Sequence, residues 1–161
     1  MEGDIFMKTI LFTLIAIAMM FGSLLAQDDY STLDNNKGTS MEPILARADP
    51  LVKRIEDKGN EIVRMEYDLV FSTKSSTRTL YKGWTYGIVA FGDYRIKDID
   101  IAVYKESRGE WKLVEKDAEN DHEASVTIKP YRDEEYKIDI TVYKFNGSYT
   151  AGHYGLLIFH E

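Results

Sequence analysis

Between Glu61 and Phe159 apolar and polar residues take turns with a period of two, the signature of half-buried β-strands. Val63, Met65, Tyr67, Leu69 and Phe71, for example, alternate with Arg64, Glu66 and Asp68. The pattern predicts strands over about 61–73, 76–81, 84–91, 96–105, 111–116, 123–129, 135–145 and 152–159. Turn-forming residues separate them: Lys82-Gly83, Gly92-Asp93, Ser107–Gly109, Asp117–Asp121, Tyr131–Glu134 and Asn146–Ser148. Parallel strands need helical crossovers, and no helical spacing falls between these eight. The expected class is therefore all-β: an antiparallel two-sheet β-sandwich of jelly-roll type, with a closed barrel as the alternative.

Two segments nearly repeat, IDIAVYK at 99–105 and IDITVYK at 138–144. Alternation points Ile99, Ile101 and Val103 one way and Asp100, Ala102 and Tyr104 the other. Ile138, Ile140 and Val142 repeat the inward set, and Asp139, Thr141 and Tyr143 the outward one. The flanks GDYRIKD and YRDEEYK do not match, so the echo reads as two core strands answering one physical demand rather than as a duplicated unit. The runs WTYGIVAF (84–91) and GHYGLLIFH (152–160) lack polar alternation, which predicts central strands covered on both faces. Gly87 in the first of them suits a close approach by another segment.

Upstream of the strands the pattern changes. Asp49 and Pro50 suit the start of a helix that buries Leu51, Val52 and Ile55 and stops at Gly59; Pro50 should interrupt any longer helix begun at Pro43. Gln27–Thr39 is polar, turn-rich and without periodic apolar spacing, as expected of a flexible leader. Before it, Lys8, the apolar run Ile10–Phe21 and the small-residue exit ending at Ala26 have the form of a secretory signal peptide. That apolar run is shorter than the roughly 20 residues of a spanning helix, so a retained anchor is the alternative reading. Glu2 and Asp4 sit where a leader is usually basic, and Met7 would be the start that removes them. The expected organisation is signal peptide 1–26, leader 27–39, short helical segment 40–60 and β-sandwich 61–161.

Composition narrows the setting. Cutting after Ala26 leaves 135 of the 161 residues, and losing Glu2, Asp4 and Lys8 changes the net charge from −7 to −6. A chain of that length buries roughly two-thirds of its unfolded surface, enough for one core without cross-links, which suits an exported chain containing no cysteine. Bacterial export, to the periplasm or beyond, is the expected destination. An acidic chain with no Lys/Arg cluster excludes nucleic acid and anionic membrane as expected partners.

No catalytic motif stands out. His122, His153 and His160 are the histidines, none in His-Glu-x-x-His spacing, and there is no Gly-x-Ser-x-Gly elbow or phosphate-binding loop. A hydrolase site assembled from distant loops is the alternative from another class, and a subunit that pairs through a strand edge is a third. Loop oxygens from Asp98, Asp100, Asp117, Asn120 and Asp121 are the candidate ligands for calcium, a cation that takes several such donors, although DAENDHE lacks the spacing and glycine of an EF-hand. Outward Tyr104 and Tyr143, with Trp111 on the next strand, are the candidate platform for a sugar ring or an extended peptide. The ordinary reading of the same residues is cross-strand pairing and a solvated acidic turn. Asn146-Gly147-Ser148 matches a glycosylation acceptor, and reads more simply as a hairpin turn.

The order LYKGWTYGIVAFGD (80–93), DIDIAVYKE (98–106), KDAENDHEASVTIKP (116–130), YKIDITVYK (136–144) and GHYGLLIF (152–159) resembles the bacterial pre-peptidase C-terminal domain over about residues 79–159. Where that family shows a glycine before the Tyr-led strand, this chain has Asp133-Glu134-Glu135. The resemblance implies a sandwich fold and an accessory or binding role outside the cytoplasm, toward a polysaccharide or protein of the envelope or extracellular space. It implies no particular ligand and no enzyme activity.

Overall fold

A computed structural model of the chain describes residues 40–161, so the expected signal peptide and leader lie outside the described residues. Among the described residues one helix, α1 (Glu42–Glu56), precedes eight strands: β1 (Glu61–Val70), β2 (Thr73–Leu80), β3 (Tyr86–Gly92), β4 (Ile96–Ser107), β5 (Glu110–Asp117), β6 (Glu123–Ile128), β7 (Glu134–Phe145) and β8 (Gly152–His160). They form two antiparallel sheets of four, ordered β1-β8-β3-β6 and β2-β7-β4-β5. Of the seven connections between strands, the β4–β5 hairpin alone stays within a sheet; the others cross the sandwich. This is the jelly-roll order, and it is open at the β1/β2 and β6/β5 sides rather than closed as a barrel.

The echoed segments are direct neighbours. Ile99 lies opposite Val142, Ile101 opposite Ile140 and Val103 opposite Ile138. All six are buried in the main core with Ile88, Ile96, Val126, Ile128, Leu156 and Ile158. Identical inward faces on two central strands thus build one apolar wall, which meets the inner face of the other sheet.

A second core lies on the outer face of the first sheet. There α1 sets Ile44, Ala48, Leu51 and Ile55 against Val89, Phe91 and Leu157, with Val52, Ile62, Tyr67 and Phe159 at the margin. Strands β3 and β8 are therefore covered on both faces, as their unbroken apolar runs predict. The close approach expected at Gly87 is also present: a Cβ there would stand 2.2 Å from the Phe159 ring, its partner across the ladder.

The helix corrects one expectation. It does not begin at Pro50 but runs from Glu42 through Pro50 to Glu56. Proline costs the bond to the carbonyl of Ala46, yet both residues are exposed, so water can serve that carbonyl. The buried stripe Ile44, Ala48, Leu51 and Ile55 spans the proline and holds the two halves in register against the sheet.

Strand β1 differs in the direction of its alternation. Arg64, Glu66 and Asp68 lie opposite Ile158, Leu156 and Tyr154 of the main core, and so face inward; Met65 lies opposite Leu157, on the helix side. On β2 the inward positions are Lys74, Ser76 and Arg78, opposite Ile140, Ile138 and Tyr136. Charged side chains from the two edge strands meet across the open side of the sandwich. Lys74 Nζ reaches Asp68 at 2.7 Å, and Glu66 Oε1 accepts from both Arg64 and Arg78.

Candidate functional site

The segment LYKGWTY (80–86) leaves β2, turns and enters β3. Gly83, with φ +101°, takes the conformation that side chains disfavour and lets the chain reverse within two residues. The turn is tied down by the Tyr81 N–H, which donates to the Tyr86 hydroxyl at 3.2 Å. This geometry leaves Tyr81 55% and Trp84 43% exposed while Tyr86 is buried. Trp84 is held in place by the His160 ring, 4.0 Å away between centroids and tilted by 33°; Tyr86 also meets that imidazole, edge-on at 5.8 Å.

These rings border a cleft of about 300 Å³ at the end of the sandwich where β1 and β2 part. Leu80, Tyr86 and Ile158 supply its buried apolar lining, and Val63, Arg64, Arg78, Thr79, Tyr81, Trp84 and His160 the rest. A β-bulge helps to open it. The register of β1 against β8 jumps between Ile62 and Arg64, so Val63 has no partner and stands 47% exposed.

Two guanidiniums converge on one carboxylate beside the rings. Arg64 Nε and Arg78 Nη2 both donate to Glu66 Oε1, and Arg78 Nη1 donates to the Thr77 carbonyl at 2.8 Å. Burial by itself would raise the Glu66 carboxyl's pKa, but the bonds from Arg78 and Arg64 outweigh it and hold the group below its ordinary value. Arg78 Nε is out of contact with water and has no acceptor.

A larger groove of about 540 Å³ runs beside α1, over Gly87, Val89, Ser125 and Thr127. Arg54 and Glu123 on its wall pair at 3.0 Å, and its ring, Phe159, is packed down onto Gly87. The smaller cleft is the one in which exposed rings and cationic donors border the same space.

The residues expected from sequence fall elsewhere. Tyr104 stands opposite Lys137, whose Nζ lies 4.4 Å from the ring centre. Trp111 is its diagonal neighbour on β5, where the register sets Leu113 against Tyr104. Tyr143, 77% exposed, is six residues along β7 from Lys137, so roughly 20 Å separates it from Tyr104. The platform of three rings is not assembled, because antiparallel pairing sends the two echoed tyrosines to opposite ends of the sheet.

Among the calcium candidates, Asp98 is 5% exposed with Oδ1 unpaired. Asp100 has its pKa raised by burial and then by the charges of Asp98 and Asp117, which places these three within electrostatic reach. Asp117 accepts from the Glu119 and Ser125 N–H groups, and Asp121 from that of Glu123. Asn120 lies in the adjoining exposed turn. Among the described residues no group of three or more Asp, Glu or His side chains is arranged to hold a metal ion.

His153 belongs to a buried network at the far end of β3 and β8. Arg95 Nη2 donates to His153 Nδ1 at 2.7 Å, while Asp93 Oδ2 accepts from Arg95 and from the His153 N–H. Sequence reasoning passed over Tyr81, Trp84 and His160. The available signal was three aromatics within six residues around a Lys-Gly turn, where polar residues are the norm.

No protein-family model matches this chain, and no curated protein matches it in sequence. Among solved structures 89 chains match. The pre-peptidase C-terminal domain of a collagenase from Bacillus anthracis aligns at 15% identity over 59% of this chain and 87% of that one, with a TM-score of 0.47. The chain is similar to a pre-peptidase C-terminal domain. PliG, a periplasmic inhibitor of g-type lysozyme from Aeromonas hydrophila, aligns at 10% identity over 63% of this chain and 86% of that one, TM-score 0.41. A CBM4 structure aligns at 14% identity over 64% and 79%, TM-score 0.38. Likenesses this distant concern the sandwich and carry no argument about a ligand.

Proposed function

We propose that this chain is an exported, non-catalytic binding module, and that the cleft beside Trp84 holds a sugar ring of an envelope or extracellular polysaccharide. The observation that carries this reading is an exposed indole, braced on its inner side by His160, standing over a cleft with buried apolar lining. A flat ring fixed by a second ring presents a face to apolar C–H surface without losing rotamer freedom on binding, and nearby N–H donors supply direction. Export is supported by the form of residues 1–26. Of the histidines, His153 is engaged by Arg95, and the His160 ring packs against Trp84 and Tyr86.

The test is an oligosaccharide array followed by titration of the strongest hits, with wild type and Trp84→Ala. Loss of an anchoring ring should weaken binding by about tenfold or more. Equal affinity of the two proteins would remove the cleft from the account.

A protein partner is the second reading, and the β5 edge favours it. Trp111, Leu113 and Val114 are 40%, 52% and 41% exposed on an edge strand whose outer backbone groups have no neighbour in the sheet. Lys112 and Lys116 on the same strand discourage indiscriminate pairing, so a partner should bring carboxylates to them. A mass measurement in solution that shows a monomer, together with no retained envelope protein, would dismiss this reading.

A further inference from the structure

The cleft carries a charge opposite to that of the chain. The protein has net charge −7, yet the residues lining the cleft include Arg64 and Arg78 and no carboxylate. Glu66 binds both guanidiniums, and two positive charges against one negative leave one in excess. Of the acids nearby, Glu134, opposite Leu80, pairs with Arg132 and Asp133 accepts the Lys82 N–H, while Glu135, opposite Thr79, and Glu61, opposite His160, are not among the residues that line the cleft.

The donors are also incompletely used. Arg78 spends Nη1 on Thr77 and Nη2 on Glu66, and its Nε is closed off from water, so the open donors are the Nη groups of Arg64, which among the described residues bonds Glu66 through Nε. A guanidinium held from one side by a carboxylate is preset in orientation, which is how arginine best presents its remaining N–H groups to a second planar acceptor.

Resting on the reading of the cleft as a sugar site, we infer that its ligand is an acidic polysaccharide, one whose ring carries a carboxylate. The ring packs against Trp84 and Tyr81, and its carboxylate takes the excess positive charge of the Arg64–Glu66–Arg78 cluster. An acidic peptide would satisfy the guanidiniums equally well, but it offers no ring face to the two exposed aromatics that border the same space.

The experiment compares oligomers of galacturonate, alginate and hyaluronate with their carboxyl-reduced neutral counterparts, and with a tetraglutamate peptide, by calorimetry. At least one acidic oligomer should bind about tenfold more tightly than its reduced form, the worth of one charge-assisted bond pair. That ratio should fall toward one in Arg64→Gln, at an exposed site whose loss leaves Glu66 paired with Arg78, and in Arg78→Gln, and it should shrink with added salt. Trp84→Ala should weaken acidic and reduced forms alike. Equal binding of both forms overturns the acidic assignment and leaves the sugar site standing. Binding of tetraglutamate with no oligosaccharide bound overturns both, as does no binding by any probe.

Discussion

Replacing Asp93 by alanine should be among the most damaging single changes this chain can undergo outside its apolar core. Asp93 is fully buried, and the groups around it are nearly so: Arg95 is 4% and His153 7% exposed. The carboxylate accepts the Arg95 N–H at 2.9 Å, Arg95 Nε at 2.9 Å and the His153 N–H at 3.1 Å, with a further bond from Arg95 Nη2. Alanine keeps the backbone bond from Asp93 N–H to the His153 carbonyl but removes the negative charge and every side-chain acceptor. Deleting one member of a buried ion pair costs about 3–5 kcal/mol, a large share of the ~5–15 kcal/mol that stabilises a typical domain. At roughly 3–5 °C per kcal/mol for a domain of this size, the melting midpoint should fall by about 10–25 °C. Urea denaturation followed by circular dichroism supplies the free energy, and an unchanged m-value confirms that the unfolding reaction is the same. The control is Asp93→Ala with Arg95→Met, which removes both charges and should recover much of the loss. A single mutant that loses less than about 1 kcal/mol, or a double mutant as unstable as the sum of its parts, would refute the argument.

Four further outcomes follow from local geometry. Pro50→Ala should raise stability in urea titrations by up to about 3 kcal/mol, because the exposed Ala46 carbonyl regains its helical donor; no gain would mean that the helix bends to suit proline. Burial, then the Arg95 charge, holds the His153 pKa below its ordinary 6.5 against the pull of Asp93 and Asp68. Its contribution is thus complete above pH 6.5 and declines as the pH falls below that, since the unfolded chain takes up a proton that the folded one refuses; His153→Asn should flatten this limb of a stability-against-pH curve. Asp100→Asn should raise the melting midpoint at neutral pH, with a gain that vanishes as the pH falls toward 3.8, because Asp98, Asp117 and burial penalise the charged Asp100. Millimolar calcium against chelator, melted in parallel, should give equal midpoints for wild type, since Asp117 and Asp121 already serve backbone N–H groups.

Much of the fold was legible because its causes are local. The period-two spacing located all eight strands, and the unbroken apolar runs singled out β3 and β8 as the central pair, since a strand buried on both faces cannot alternate. The helix start is less legible: the backbone cost of Pro50 points to a start there, while the apolar stripe from Ile44 to Ile55 that overrides this cost depends on packing against Val89 and Leu157, far away in sequence. The site was less legible for the same reason. Tyr104 and Tyr143 share a face, but their separation along it depends on register, and register is set by the pairing of Val103 with Ile138 rather than by the residues of either segment.

The inward charges of β1 and β2 connect these results. A jelly roll open at its side leaves two edge strands whose inner faces are only half covered, and an apolar pair of edges there would invite pairing with another chain. Arg64, Glu66 and Asp68 against Lys74 and Arg78 close the inner face of that side with charge. Ion pairs joining strands from different sheets do not fix spacing as tightly as interdigitated side chains, so the strands can part where the bulge at Val63 turns one edge outward. The charges that protect the edge are then the ones left beside Trp84 and Tyr81 where the sheets separate. A cleft formed in this way is cationic on an acidic protein without any residue being spared for binding alone, and neutralising the pair Lys74–Asp68, lower on the same side, should leave ligand affinity unchanged while Arg64→Gln does not.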